Sequence, residues 1–327
     1  MNDPPSSAAP PGIPTRPLGK TGVVVTELSL GTWGLSGEGY GPVPDGEAEA
    51  IVARALALGI DSFETSDAYE KGGTEERLGR LLEDVRGSTT VATRIGVDRS
   101  VEPPRKCFRP AYLEAAIQRS CERLRRPRLD VLLLHNPKAD TLKDPELVSF
   151  LKETREKGLV RAWGVAAGDS EVARNALENG CDVLELAHNV LADGDLAAVS
   201  SDVEARSVGV YARSVLAYGL LAGFLRPDRV FAEGDHRRER WKGADLAHRM
   251  THAECARVLV GGAVHTARAA AVRFALANEL VSTVVLGPRS AAQLEQLVRE
   301  AGRGGPYLEP ERLAKLPRRL AEAGVFG

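Results

Sequence analysis

None of the four cysteines, Cys107, Cys121, Cys181 and Cys255, stands in a C-x-x-C pair. That excludes a zinc ribbon and a dithiol redox motif, and it makes a reducing compartment the default. No apolar stretch reaches the ~18 residues that a membrane-crossing helix needs. The first 13 residues, "MNDPPSSAAPPGI", have neither a basic start nor an apolar segment. They read as a disordered Pro/Ser/Ala-rich tail on a cytoplasmic protein. A formal net charge of −2 lacks the broad positive field of nonspecific nucleic-acid binding. The one basic run, "RLRRPRLD" (123 to 130), reads as a helix end whose arginines face the negative pole of the helix dipole, with Pro127 as the stop. The dinucleotide fingerprint G-x-G-x-x-G is also missing, since "GEGYG" (37 to 41) has no third glycine at the required offset. A doubly wound nucleotide-binding fold loses its main support.

The chain of 327 residues does contain ample material for a large core, with 43% hydrophobic residues. Short apolar runs recur at 25 to 31, 60 to 66, 89 to 95, 130 to 135, 161 to 166, 182 to 188, 209 to 215 and 282 to 287. Between them lie segments with helical apolar spacing, among them 47 to 59, 110 to 124, 144 to 158 and 170 to 180. Eight strand-then-helix units predict a (β/α)8 TIM barrel, a single domain over residues 14 to 327. "RPLGKTGVVV" predicts an N-terminal β-hairpin at the barrel floor. The interval from about 216 to 280 is longer than one helix and predicts a long loop after strand seven, lying over the mouth.

Functional groups of such a barrel gather at the C-terminal strand ends. There the sequence places Glu64 and Tyr69 after strand two, Arg94 at the end of strand three and His135 at the end of strand four. A cation beside a phenol favours the phenolate, so Arg94 is expected to lower the pKa of Tyr69 and make it a proton donor. His135 would orient a carbonyl, and Glu64 would hold the cation. Read singly, each is as well explained as a polar cap or an ion pair; together on three consecutive strand ends they suggest a site. "AHRMTHAEC" sets His248, His252 and Cys255 on one helical face, but without a fourth ligand, so an amphipathic face is preferred and no metal is expected.

From about residue 15 to 300 the chain resembles the aldo-keto reductases, through "LGKTG", "LGTWG", "GIDSFETSDAYEKGGTEERLG", "VATRIG", "LDVLLLHNP", "KGLVRAWGV", "VYARSVLAYGLLAGF" and "GPRSAAQLEQ". The resemblance implies a barrel that holds an extended nicotinamide dinucleotide and reduces a carbonyl substrate with an Asp, Tyr, Lys and His set. Tyr69 and His135 match. Glu64 stands at the Asp position, five residues before the tyrosine, and Arg94 at the Lys position; Asp67 is not the equivalent. An Arg94–Glu64 pair is expected to lock bidentately and weaken the field on Tyr69.

The resemblance also marks a cofactor wall. Thr32, Trp33, Ser214, Leu216, Gly287, Arg289, Gln293 and Gln296 are its counterparts here, and Arg289 could meet a 2′-phosphate, favouring NADPH over NADH. Ala166 and Ala167 replace a Ser-Asn pair, Glu185 replaces a glutamine that holds the carboxamide, and Arg213 stands where a tyrosine often stacks. A catalytically altered barrel acting as a binding protein is the alternative. The loops at 37 to 46, 136 to 144 and 222 to 242 are candidates for substrate selection; neither substrate nor oligomeric state is written in the sequence.

Overall fold

A computed structural model of the chain describes residues 12–242 and 244–325. The tail expected over residues 1 to 13 lies outside these apart from its last two positions, where Ile13 packs against the main apolar cluster. Eight strands form one closed, all-parallel barrel in chain order: Leu28–Gly31, Ser62–Ser66, Thr90–Ile95, Leu129–His135, Val160–Ala166, Val183–Ala187, Gly209–Arg213 and Thr283–Leu286. Each falls inside or within one residue of its predicted run. Parallel strands with both faces covered read as nearly continuous apolar runs, which is why they stand out in the sequence.

Alternation along each strand sends one set of side chains outward under the helices and the other into the barrel. The outward set joins Ile51, Val52 and Ala55 of the helix Glu47–Ala57, and their equivalents on other helices, in the largest core cluster. Inside, Ala92, Val131, Leu133, Ala162, Val183, Tyr211 and Val285 fill the barrel. Polar caps start several helices: Asp144, Asp169, Thr266 and Ser290 each accept a first-turn N–H.

The floor is closed by the expected hairpin, Thr15–Pro17 paired antiparallel with Val24–Thr26. Leu18, Val23 and Val25 enter the same cluster as the inward barrel residues. Gly209 makes room for them, because a Cβ there would lie 2.6 Å from the Leu18 side chain. Arg16 ties the hairpin to the far end of the chain, donating to the carbonyls of Leu276 (2.8 Å), Asn278 (3.2 Å) and Val281 (2.7 Å).

The long interval after the seventh strand contains short helices, Arg237–Arg240 and Asp245–Ala253, before the helix Ala267–Ala277. It has its own apolar cluster, with Phe231, Trp241 and Leu246 packed on Leu308 and Leu316 from the C-terminal segment. Tyr40 and Asp235 form a β-bridge, and His236 N–H donates to the Gly39 carbonyl at 2.9 Å, so this segment meets the loop after strand one across the mouth. The rings of His248 and His252 are 4.3 Å apart, while the Cys255 thiol points to the Arg319 carbonyl at 3.6 Å. Among the described residues no group of three His, Cys, Asp or Glu is placed to hold a metal, and no helix is long and apolar enough to cross a membrane.

The run "RLRRPRLD" does end a helix, Pro110–Leu124, with Arg125 in the left-handed region at φ 54°. Arg126 does not serve the helix dipole. It turns to the Thr89 carbonyl at 2.9 Å and to Asp130 at 2.7 Å.

Candidate active site

Parallel register brings the predicted residues together at one end of the barrel. Glu64 is level with Gly31 on one side and Ala92 on the other, Arg94 sits beside Leu133, and His135 beside Ala166. Gly31 is required here, because a Cβ would stand 2.6 Å from Val285 and 3.3 Å from Glu64 Oε2. The missing side chain makes space for the longer acid.

Arg94 is the hub. Its Nε and Nη2 donate to the two oxygens of Glu185 at 2.8 and 2.5 Å, and Nη1 donates to the Tyr69 hydroxyl at 3.2 Å. Glu64 Oε1 lies 2.9 Å from Nη2 but receives no aligned hydrogen bond from it, which makes this a charge contact without a directed bond. The bidentate partner of Arg94 is therefore Glu185, not Glu64 as the sequence suggested. The reason is geometric: Glu185 faces the planar fork across the barrel, whereas Glu64 approaches one corner of it. Glu185 is fully buried and committed to this pair, so it does not face the groove as a free amide partner.

The protonation states follow from burial. Removal from water pushes the Tyr69 phenol up, the opposing pull of Arg94 is smaller, and Glu64 and Glu185 add to the rise. This corrects the expected lowering: Tyr69 stays protonated because desolvation outweighs one guanidinium already shared with two acids. Burial also raises Glu64, against Arg94. Burial alone would pull Arg94 down, but Glu185 and Glu64 outweigh it and hold it firmly charged. His135 is kept well below its ordinary value, by burial first and then by Arg94, Lys106 and Arg213, so its ring is neutral. The Tyr69 and His135 rings meet edge to face, centroids 6.2 Å apart.

Asp67, adjacent in sequence, is not part of this cluster. Burial and the charge of Glu75 raise it to about 7, and its N–H donates to the Arg94 carbonyl. Ser66 is a site residue that sequence reasoning missed. Its hydroxyl lies 2.9 Å from His135 Nδ1. The signal was available, since Ser66 is two residues after Glu64 on a strand and shares its inward face.

A groove of about 540 Å³ opens from this cluster, with Glu64, Tyr69, Arg94 and His135 at one end and Gly287, Arg289, Gln293 and Gln296 at the other. Trp33, Arg213, Ser214 and Leu216 line it between. Ala166 and Ala167 do not reach it; both are fully buried, and the Ala167 carbonyl instead accepts from Arg213 Nη2 at 2.9 Å. Arg289 is engaged as well, donating to the carbonyls of Tyr40, Gly41 and Pro42. An extended dinucleotide fits in part. A Cβ on Gly287 would meet nothing, Thr32 Oγ1 is buried without a hydrogen-bond partner, and Arg213 Nε, likewise without a hydrogen bond, lies 3.9 Å from Glu185 Oε1. At the nicotinamide end, Ala166 and Ala167 offer no side-chain hydrogen bond.

Residues 27–301 match the Aldo/keto reductase family. The chain belongs to this family. Among its relatives are an L-galactose dehydrogenase of Arabidopsis thaliana, 29% identical over 88% of this chain and 87% of that protein, and a pyridoxal 4-dehydrogenase of Microbacterium luteolum, 25% identical over 86% and 91%. A glycerol dehydrogenase structure from Gluconobacter oxydans superposes with TM-score 0.81 at 23% identity, covering 96% of this chain and 97% of that one. A holo aldo-keto reductase from Bacillus halodurans gives 0.76 at 22%, covering 94% and 96%. At those identities the structural likeness speaks for the fold, and the eight-stranded barrel with its hairpin agrees with it. Family membership and the dehydrogenase relatives make the protein an oxidoreductase.

Proposed function

We propose that this aldo-keto reductase interconverts a small-molecule carbonyl and its alcohol with NADPH, NADH being the poorer partner. The observation that carries the reading is the Tyr69 hydroxyl, 3.2 Å from Arg94 and beside a neutral His135 at the closed end of the groove. A nicotinamide held along the groove would supply the hydride. Tyr69, protonated throughout the neutral range, gives its proton to the carbonyl oxygen, and Arg94 stabilises the phenolate that is left. His135 fixes the direction of that oxygen. Glu185 prevents Arg94 from turning away, because a fork held by two bonds has one orientation. Glu64 closes its remaining corner, 2.9 Å from Nη2.

Thr32, Ser214, Leu216, Gly287, Gln293 and Gln296 would hold the dinucleotide along the groove, with Trp33 beside it. Arg289 would exchange loop carbonyls for the 2′-phosphate, a stronger charge-assisted contact. The relatives named for galactose and pyridoxal support a small, polar, oxygen-rich substrate. A barrel that binds without turning over is the rival, favoured by Ala166 and Ala167 and by the commitment of Glu185.

The deciding experiment follows the fluorescence of Trp33 during titration with each nucleotide, together with reduction of a reactive aromatic aldehyde. Saturable quenching, tighter with NADPH, and turnover support the reading. Saturable quenching without turnover selects the rival, and no response to either nucleotide overturns both.

A further inference from the structure

We propose that the barrel floor, on the face opposite the groove, carries a second ligand site, for a phosphate monoester with a compact apolar body. A cavity of about 430 Å³ opens there, with Arg86, Arg126, Arg128 and Arg161 on its wall. These arginines come from the loop before strand Thr90–Ile95, the turn after helix Pro110–Leu124 and the first residues of strand Val160–Ala166. All lie before or at the N-terminal ends of strands, so the site is separated from Tyr69 and His135 by the packed barrel interior.

The wall is short of negative charge. Four guanidinium groups face one carboxylate, Asp130, a formal excess of three positive charges. Asp130 is already occupied, since its Oδ2 accepts from Val91 N–H at 3.0 Å and from Arg126 at 2.7 Å. Among the described residues this Arg126–Asp130 contact is the cavity's ion pair, and Arg86, Arg128 and Arg161 make none. Arg161 donates one hydrogen bond, to the Gly22 carbonyl at 3.0 Å, and keeps its other donors. Arg86, Arg128 and Arg161 are exposed to solvent, and Arg126 alone is buried. Burial and, against the pull of Asp130, the charge of Arg86 hold the Arg126 guanidinium below its ordinary value.

The cavity has a fixed pier. Arg126 is 7% exposed and donates to the carbonyls of Thr89 (2.9 Å) and Arg86 (3.2 Å) and to Thr89 Oγ1 (2.7 Å). Those bonds hold the loop that carries Arg86, while the side chains of Arg86, Arg128 and Arg161 are exposed and can turn toward an arriving anion. Guanidinium forks match the tetrahedral oxygens of phosphate and bind it bidentately. A doubly charged phosphate offsets most of the excess, and a single carboxylate would offset less of it.

The opposite wall identifies the rest of the ligand. Val23, Val24 and Pro127 are apolar and border the same space. Val24 is 58% exposed, so it is available for a ligand to cover. A ligand that places its phosphate among the arginines would cover this strip with its body. The volume lies in the range of small-molecule pockets, and a net charge of −2 is unsuited to a nucleic-acid partner.

Calorimetric titration of the full chain with phenyl phosphate and, separately, inorganic phosphate tests the site, with chloride balancing the ionic strength. The groove also contains arginines, so two floor variants separate the faces: Arg86→Gln with Arg128→Gln, and Val24→Glu, which adds a carboxylate on an exposed strand position. Phenyl phosphate should bind at least fivefold more tightly than inorganic phosphate. Both variants should lose tenfold or more of that affinity while their NADPH titrations match wild type. Wild-type affinity for phenyl phosphate in both variants, or no saturable heat in the parent, overturns the proposal. Equal affinities of the two anions would remove the apolar half and leave a site for free phosphate. None of these results depends on whether the groove turns over a carbonyl.

Discussion

Ser66 Oγ lies 2.9 Å from His135 Nδ1 and 2.8 Å from the carbonyl oxygen of Arg94, and it accepts the Ala68 N–H at 3.1 Å. A serine has one proton to give. Given to the Arg94 carbonyl, it makes Nδ1 the donor and leaves Nε2 as an acceptor toward the groove. Given to Nδ1, it puts the imidazole proton on Nε2, where it can donate to a carbonyl oxygen. The Arg94 carbonyl also accepts from Asp67 N–H at 3.1 Å, so it keeps a partner either way. Ser66 therefore lets His135 face both an alcohol and a carbonyl.

Ser66→Ala should lower kcat by about five- to tenfold, the worth of one such hydrogen bond, with NADPH affinity unchanged. The imidazole 15N shifts of His135 should lose the Nδ1 interaction. A variant with wild-type kcat and unaltered shifts would deny Ser66 any positioning role.

The Arg94–Glu185 pair should behave as one unit. Glu185→Gln alone leaves a buried guanidinium underpaired, with a cost on the order of 3–5 kcal/mol, and Arg94→Lys alone leaves Glu185 half-served. The double change should regain stability and kcat/KM, with a coupling energy of about 1 kcal/mol or more. Thermal unfolding and kinetics across the four proteins supply the measurement. Additive losses would mean the two act separately, and recovery by Glu64→Asp with Arg94→Lys instead would return the pairing to Glu64.

Tyr69→Phe should abolish carbonyl reduction and leave nucleotide binding within about twofold of wild type, because the hydroxyl contacts only Arg94 and the substrate oxygen. Single-turnover assays would detect residual chemistry. Turnover at a tenth of wild type or better would place the proton donor elsewhere.

Stability should fall as pH rises from about 7 to 8, above the range in which His135, His188 and His236, all held below their ordinary values by burial, act in the opposite sense. Asp67, raised to about 7, and Glu64, raised by burial, hold protons in the folded state after the unfolded chain has released them near pH 4. Folded-state pKa values above the unfolded ones make stability greatest at low pH and progressively lost through the folded pKa, with a slope of up to ~1.4 kcal/mol per pH unit for each proton. Asp67→Asn should flatten the first part of this fall, and Glu64→Gln should flatten its upper part. A melting temperature that rises across this range in wild type would reverse the assignment.

The fold was legible because buried parallel strands and helices with 3.6-residue periodicity leave separate signatures, and the eight runs recur at regular intervals. The strand-end cluster of Glu64, Tyr69, Arg94 and His135 was legible for the same reason. What could not be read was choice of partner. Glu185 lies 91 residues beyond Arg94, and nothing local distinguishes it from Glu64 as the acid that fits the fork. The direction of the Tyr69 shift was also hidden, because charge can be counted in a sequence and desolvation at a particular atom cannot. Arg289 presents the same limit: its type suits a phosphate, but only the folded chain shows it latched to three loop carbonyls.

Arg16 has a consequence for how the chain comes together. Its three carbonyl acceptors lie 260 to 265 residues downstream, and the plug formed by Leu18, Val23 and Val25 has no container until the strands have closed around it. Local contacts can form each strand-helix unit early, but this seal is among the longest loop closures available to the chain, and such closures are slow. This hairpin, synthesised before the strands it seals, is therefore fastened last, and while synthesis continues its apolar side chains wait for a site that has not yet been made.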